Sequence, residues 1–532
     1  MLSLILTDAN QSLAPSPPIA WTAGACPATG ALSVDVSTEH QTIGGFGASL
    51  TESSAINLNA LPPPKQAELL ELLFGPSGAR LSAVKATMLS NDFSTQANWS
   101  TYDDTPGDVS LEHFSIARDL APNGTLTLLK RAQAAGFTGT VQAYMDYPPD
   151  WMLKGKLPDH ATVDPKYYDV LAQYYAKFVQ AYASHGVEID FLEAFNEPDN
   201  LLADGSYTTM SPQQLATFLG DHLGPLFDKL GLRPRTQLTY GGQAERWSAL
   251  VEVPLVMAHP TAREYMDLIA YHGYDCQFNC SDARMNYGAI AKLHALFPGK
   301  QLWMTEICYA YNGDDPRCED AATLDRCTDY PRNASLAPPL PRRDFGDGAT
   351  WGERLVRELQ AGASGWIYWN LLLDSRGGPF NLSPSHNDAG ANFQHPLVIV
   401  DTERADFLPT GLFRFLAHFA RFVRPGAVRL ATSERALPDG VSAVAFRPPP
   451  SSVKAARPQQ MPLHVQHQHQ QSQDDAVAAA TVEVTEALKA ADDVVLQLVN
   501  RATAPRRVTV CSGDGRVAQV EMPPTSIATA HW

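Results

Sequence analysis

The sequence predicts an α/β protein, a (β/α)8 TIM barrel with an appended C-terminal β-sandwich. Three observations carry this. Between residues 43 and 424 short apolar runs alternate with helical stretches, and eight such runs can be counted. Two of them, Ile189–Pro198 and Gln301–Cys308, stay mostly apolar and then deliver a glutamate, Glu197 and Glu306. Strands covered on both faces behave this way when they emerge at the C-terminal mouth of a barrel. After Pro425 the pattern changes to short alternating segments set between turn residues, the signature of a sandwich.

Taken in order, residues 1–30 are rich in Pro, Ala and Ser and read as an irregular lead-in. Residues 31–42 belong with the sandwich, because Ala31–Val36 alternates as a half-buried strand does. Gly44-Gly-Phe-Gly-Ala-Ser-Leu50 opens the barrel; its spacing is not that of a nucleotide-binding loop, and the glycines imply close strand packing. Helix Pro64–Phe74 then precedes strand Leu81–Leu89, helix Leu126–Ala135 precedes strand Thr140–Tyr147, and helix Tyr167–His185 leads to the strand carrying Glu197. Ser211-Pro212 caps a helix running to Leu230. Strands Gln237–Gly242 and Leu268–Tyr274 come next, then helix Ala283–Phe297 and the strand carrying Glu306. Helix Thr350–Ala361, strand Trp366–Leu373 and helix Gly411–Phe422 close the series, so Glu197 ends strand four and Glu306 ends strand seven. Residues 425–532 supply sandwich strands Val441–Phe446, Val494–Val499, Arg507–Cys511, Val517–Val520 and Ser526–Trp532. The Pro-, Gln- and His-rich stretch at 448–479 cannot build a core and is expected to be a disordered loop, its His464, His467 and His469 solvated rather than metal-bound.

Composition narrows the class. The formal charge, 40 minus 57 or -17, disfavours nucleic acid and anionic membranes as partners. No apolar run approaches the ~20 residues of a membrane span. Asn10, Asn98, Asn123, Asn279, Asn333 and Asn381 each begin an Asn-X-Ser/Thr triplet, a set that favours a secretory route. Cys276 with Cys280, and Cys318 with Cys327, form two close pairs whose spacings do not suit a zinc knuckle, so disulfides of open pairing are expected. Cys308 is expected to pack as a small apolar residue, and spacing does not pair Cys26 or Cys511.

A single strand-end glutamate is most often a surface or ion-paired group. Two of them at one mouth are what glycoside hydrolysis needs: one acid to protonate the leaving oxygen and one carboxylate to meet the anomeric carbon. No cofactor or metal is required, because protons and a covalent ester do the chemistry, and no His-Glu-X-X-His set is present.

The ordered set Gly45-Phe-Gly-Ala, Ser90-Asn-Asp-Phe-Ser, Phe195-Asn-Glu-Pro, Met304-Thr-Glu-Ile-Cys, Trp369-Asn-Leu, Gly377-Gly-Pro and Pro396-Leu-Val-Ile-Val-Asp resembles glycoside hydrolase family 30, in particular its lysosomal glucosylceramidase branch. The resemblance runs from about Ala31 to Trp532. It implies a retaining mechanism with Glu197 as acid/base and Glu306 as nucleophile. It also implies a β-glycoside substrate, a secreted or lysosome-like location, and passing contact with a membrane surface where the substrate is a lipid. Asn196 matches the position that holds the sugar 2-hydroxyl, and Asp92 one that accepts from the terminal sugar. His272 and Tyr274 match a pair lining the pocket around the nucleophile, Tyr274 placed to donate to Glu306. Trp369 offers an apolar face to a sugar ring.

Two positions depart from that branch. Lys85 stands where it has an arginine, and Asp146 where it has a sugar-contacting tryptophan. Asp146 is expected to add a hydroxyl contact or to pair with Lys85, and Tyr147 or Trp151 to supply the lost stacking. Glucosylceramide-like β-glucosides are therefore the leading substrates. An endo-acting β-1,6-glucanase is the rival enzyme, and a carbohydrate-binding pseudoenzyme the rival outside catalysis.

Overall fold

The computed structural model describes residues 1–95, 100–156, 159–200, 208–275, 285–308, 310–311, 343–374, 377–379, 393–450 and 493–532. The cysteines 276, 280, 318 and 327, most of the 448–479 loop, and Asn98, Asn279, Asn333 and Asn381 lie outside them.

Among the described residues eight parallel barrel strands follow the predicted order: Gly45–Leu50, Ala83–Thr87, Thr140–Tyr144, Phe191–Glu193, a fifth in two pieces (Gln237–Thr239 and Gly242–Gln243), Leu268–His272, Gln301–Glu306 and Gly365–Asn370. The first half of strand five pairs with strand four and the second half with strand six, which brings the sheet round on itself. The opening glycines are a packing device: a Cβ at Gly47 would stand 1.7 Å from Ala83 O. Ala83, Phe191, Leu268, Ala270, Trp303 and Ile367 form an apolar plug inside the strands, with the Phe191 and Trp303 rings 5.1 Å apart.

Helices wrap the barrel, their ends fixed by local chemistry. Ser211 and Gln214 form a capping box, and Pro212 starts the helix that reaches Lys229. That helix passes through a π-helical stretch at Phe218–Leu223 just before Gly224, where a Cβ would meet the Tyr265 ring. Thr410 caps the last barrel helix, Gly411–Phe422, through the amide of Phe413.

The lead-in is not irregular. Leu2–Asp8 is a strand between Gln11–Ile19 and the C-terminal strand Ser526–His531. Its alternating apolar residues enter the sandwich core, and Pro-rich Gln11–Ile19 takes the sheet edge, where missing N–H donors cost no ladder bond. Among the described residues the sandwich is one continuous ten-stranded sheet folded over its own core. Ala31–Thr42 runs beyond the expected Val36 and pairs with both Val428–Arg435 and Arg506–Cys511. A disulfide joins Cys26 to Cys511. Barrel and sandwich meet at His418, whose Nδ1 and Nε2 each lie 2.8 Å from a hydroxyl, Thr529 and Thr7. Burial, with Arg421 adding, pushes this ring down to about 3, so it stays neutral.

Candidate active site

Strand four ends at Glu193, and four residues later the backbone turns sharply. Glu197 has φ +40°, a left-handed value costly for a residue with a Cβ, held by its N–H donating to Gly242 O at 2.9 Å and by Asn200 N donating back to its own carbonyl. This turn swings the Glu197 carboxyl over the mouth, where Oε1 lies 2.9 Å from His272 Nδ1 and Oε2 accepts from Asn200 Nδ2 at 2.7 Å. Glu306 closes strand seven: Oε1 accepts from the Tyr274 hydroxyl at 3.0 Å and Oε2 from Lys85 Nζ at 2.8 Å. Oxygens of Glu197 and Glu306 and the His272 nitrogen all lie within 4.8 Å of one another.

His272 Nδ1 is 3.8 Å from Glu306, and Nε2 is 3.5 Å from Glu193 Oε1 and also 3.5 Å from Lys85 Nζ. Burial, the largest influence, and Lys85 disfavour the charged ring, but Glu306, Glu193 and Glu197 together outweigh them, so its pKa is pushed up to about 10. Burial likewise works against the Lys85 ammonium, and Glu193 and Glu306 hold it protonated. Lys85 also lies over the Tyr144 ring at 3.8 Å and faces Trp369 at 5.6 Å. The close spacing of two carboxylates and an imidazole could suit a cation, but Lys85 already supplies that charge against Glu306.

Asp146 is buried and accepts from the Tyr144 hydroxyl at 2.9 Å; Lys85 makes its close ion pairs with Glu306 and Glu193 instead. Burial first, then Asp92 and Glu306, push the Asp146 carboxyl well above the usual range and towards its neutral form, against Lys85 and the Tyr144 hydrogen bond. Asn196 is buried and its Oδ1 has no hydrogen-bond partner among the described residues. Asp92, in the turn after strand two, is half-buried and close enough to act on Asp146 and Tyr144. Trp369, on strand eight, packs edge-on to Tyr144 and Phe93. Trp151 follows strand three in a single 3₁₀ turn; its indole N–H donates to Asp103 O at 2.9 Å and its ring packs edge-on to Tyr167.

Sequence reasoning missed Glu193 and offered Lys85 only Asp146 as a partner. Glu193 lies wholly inside the barrel, its Oε2 accepting from Gln142 at 2.8 Å. Burial favours its neutral form, yet Lys85 and then His272 hold it below its ordinary value. The available signal was a glutamate within an otherwise apolar strand, two residues from Phe191 and so on the same, inward face.

Residues 43–335, more than half of the chain, match the glycosyl hydrolase family 30 TIM-barrel domain. The chain belongs to glycosyl hydrolase family 30. As a member of that family it is similar to the lysosomal acid glucosylceramidase of Mus musculus, 26% identical over 79% of this chain and 76% of that one. It is equally similar to an endo-1,6-beta-D-glucanase of Neurospora crassa, 26% identical over 73% of this chain and 72% of that one. In fold, this family 30 chain superposes on SrfJ from Salmonella typhimurium with a TM-score of 0.76 at 20% identity, covering 100% of this chain and 99% of that one.

Proposed function

We propose that this family 30 glycosidase is a retaining β-glucosidase whose substrate is a glucosylceramide-like β-glucoside, with Glu306 as nucleophile and Glu197 as acid/base. One observation carries the stereochemical reading: oxygens of Glu197 and Glu306 approach within 4.8 Å. Retaining enzymes hold their carboxyls roughly 5–5.5 Å apart, whereas inverting enzymes leave roughly 6.5–9.5 Å for a water. In the first displacement Glu306 attacks the anomeric carbon while Glu197 gives its proton to the departing oxygen. In the second, water attacks that carbon, its proton goes to Glu197, and Glu306 leaves as carboxylate. Tyr274, kept neutral by burial, donates to the nucleophile throughout, and Asn196 Oδ1 is free to accept from the 2-hydroxyl. Asp92 and Trp369 complete the sugar pocket in this reading.

A second reading, an endo-β-1,6-glucanase, is favoured by Asp146: a buried neutral acid able to hydrogen-bond stands where the glucosylceramidase branch places an apolar wall. The Cys26–Cys511 disulfide supports a secretory, extracellular or lysosome-like location. Among the described residues no helix is long and apolar enough to cross a membrane, so a lipid substrate would be met by transient surface contact.

The test is covalent trapping with a 2-deoxy-2-fluoro β-glucoside carrying a good leaving group, read by intact mass and peptide mapping. An adduct on Glu306 is expected. An adduct elsewhere, or none on folded protein with this and other β-glycosides, would overturn the assignment. Hydrolysis of glucosylceramide in mixed micelles against β-1,6-glucan then separates the two substrates.

A further inference from the structure

Lys85 Nζ and His272 Nε2 lie 3.5 Å apart, both fully buried. Two cations that close repel strongly in a dry interior unless an anion stands between them. One does: Glu193 Oε1 is 3.7 Å from Lys85 Nζ and 3.5 Å from His272 Nε2. Glu193 sits below the mouth, with Gln142 on its other oxygen.

We propose that Glu193 is a positioning residue for the double displacement, a permanent internal carboxylate that keeps Lys85 and His272 charged and so holds the buried cluster neutral while Glu306 and Glu197 exchange roles. The proposal rests on those two roles. In the resting enzyme two cations, Lys85 and His272, face two carboxylates, Glu193 and Glu306, while Glu197 holds a proton. When the glycosyl–oxygen bond to Glu306 forms and the bond to the leaving oxygen breaks, the Glu197 proton leaves with that oxygen. Glu306 is then a neutral ester and Glu197 the carboxylate, so two cations still face two carboxylates. His272 Nδ1, 2.9 Å from Glu197 and 3.8 Å from Glu306, touches both sides of the exchange. Water attack on the ester returns the first state. Without Glu193 the cluster would carry an unbalanced positive charge at every stage.

The other ionisable groups facing the cluster are Tyr144 at the end of strand three, which burial keeps neutral, Asp146 just after that strand, Asp92 from the turn after strand two, Tyr274 after strand six and Cys308 after strand seven. Burial holds Asp146, Tyr274 and Cys308 neutral. They do not substitute for Glu193.

The experiment is the pH dependence of kcat/KM for a β-glucoside whose leaving group needs protonation, on wild type, Glu193→Gln, Glu193→Asp, Lys85→Met and the double variant Lys85→Met/Glu193→Gln. Removing a buried negative charge weakens the proton affinity of its neighbours, so Glu193→Gln is expected to move the alkaline limb down by about one unit or more. Glu193→Asp should stay near wild type, Lys85→Met should move the limb up, and the double variant should return towards wild type. A structural role alone lowers the rate without moving the limb. If Glu193→Gln does not fold, the Lys85→Met single and the double variant decide by the same limb. Limbs that coincide across the folded variants would overturn the proposal. Wild type that forms no adduct on Glu306 in the trapping experiment would instead remove the reading beneath it.

Discussion

Replacing Arg246 with methionine should both destabilise the barrel and slow the enzyme, although Arg246 touches neither glutamate. Its guanidinium is buried at 1% exposure. Nε and Nη2 donate to Glu358 at distances down to 2.7 Å, and Nη1 donates to Asp275 Oδ2 and Gly273 O, each at 2.9 Å. Glu358 in turn accepts from the Tyr271 hydroxyl at 2.6 Å. Arg246 therefore grips the chain on both sides of His272, at Tyr271 through Glu358 and at Gly273 and Asp275 directly. Methionine of similar length would fill much of the space but leave two buried carboxylates unpaired, a loss of about 3–5 kcal/mol. At about 2.1 cal/mol/K of unfolding entropy per residue, a chain of 532 residues would melt roughly 3–5 °C lower. A shift of ~1 Å at His272 and Tyr274 would cost on the order of 10²-fold in kcat/KM. Arg246→Lys, which keeps the charge but loses the planar fork, should fall between. Calorimetry and initial rates on an aryl β-glucoside measure both effects. A Met variant melting within about 1 °C of wild type, with kcat/KM within about twofold, would refute the brace.

Tyr274→Phe removes the 3.0 Å hydrogen bond to Glu306 Oε1 and should lower kcat/KM by about 10- to 100-fold, the worth of a bond to a charged group; an unchanged rate would show the hydroxyl to be idle. Asp119 is fully buried, accepts from the Tyr102 and Tyr182 hydroxyls at 2.6 Å each, and is pushed up to about 6 by burial, the two bonds opposing. Its folded value exceeds the unfolded value of ~3.9, so its contribution is complete below that value and falls by roughly 3 kcal/mol as pH rises through 6. Asp119→Asn should flatten this part of the stability curve between about pH 4 and 6, and urea midpoints that keep the wild-type slope would refute it. Cys26→Ser with Cys511→Ser opens a closure of sequence separation 485 and should cost about 2–5 kcal/mol while leaving kcat unchanged; a lower kcat at permissive temperature would contradict that separation of roles.

Elements with a clean local pattern were legible in the sequence. The apolar runs ending on Glu197 and Glu306 and the Ser211-Pro212 start all stand near where pattern placed them, because strand burial and helix caps are local chemistry. Helix Arg246–Met257 was missed, because Pro254 lies inside it and Trp247, Val251 and Leu255 are exposed, which removes the usual one-sided stripe. Leu2–Asp8 was missed because its partners lie at the far end of the chain. The Cys26–Cys511 bond was unreadable for the same reason. At the site, the ends of strands were legible and their interiors were not. An apolar strand interior argues for burial, and Glu193 contradicts that argument until Lys85 and His272 are seen beside it.

Lys85, Glu193 and Asp146 are best understood as one unit. An arginine fork could satisfy the nucleophile and stack on neighbouring rings without a buried counter-ion; a lysine is a compact, strongly hydrated charge whose burial needs close anions. Glu306 and Glu193 supply them, at 2.8 and 3.7 Å, and the Tyr144 ring covers the remaining side of the ammonium at 3.8 Å. With Lys85 drawn to that side, the close hydrogen-bond partner of Asp146 among the described residues is the Tyr144 hydroxyl, and Asp146 lies near Asp92 and is pushed towards its neutral form. If Lys85 stands for the arginine that the resemblance implies, the same exchange leaves a polar group where the resemblance implies an apolar wall. A sugar with a hydroxyl at that point gains a partner, and a ring that only stacks loses one. Asp146→Trp should therefore weaken β-1,6-glucan hydrolysis relative to glucosylceramide if the glucanase reading is right. Equal losses on both would place Asp146 outside substrate selection.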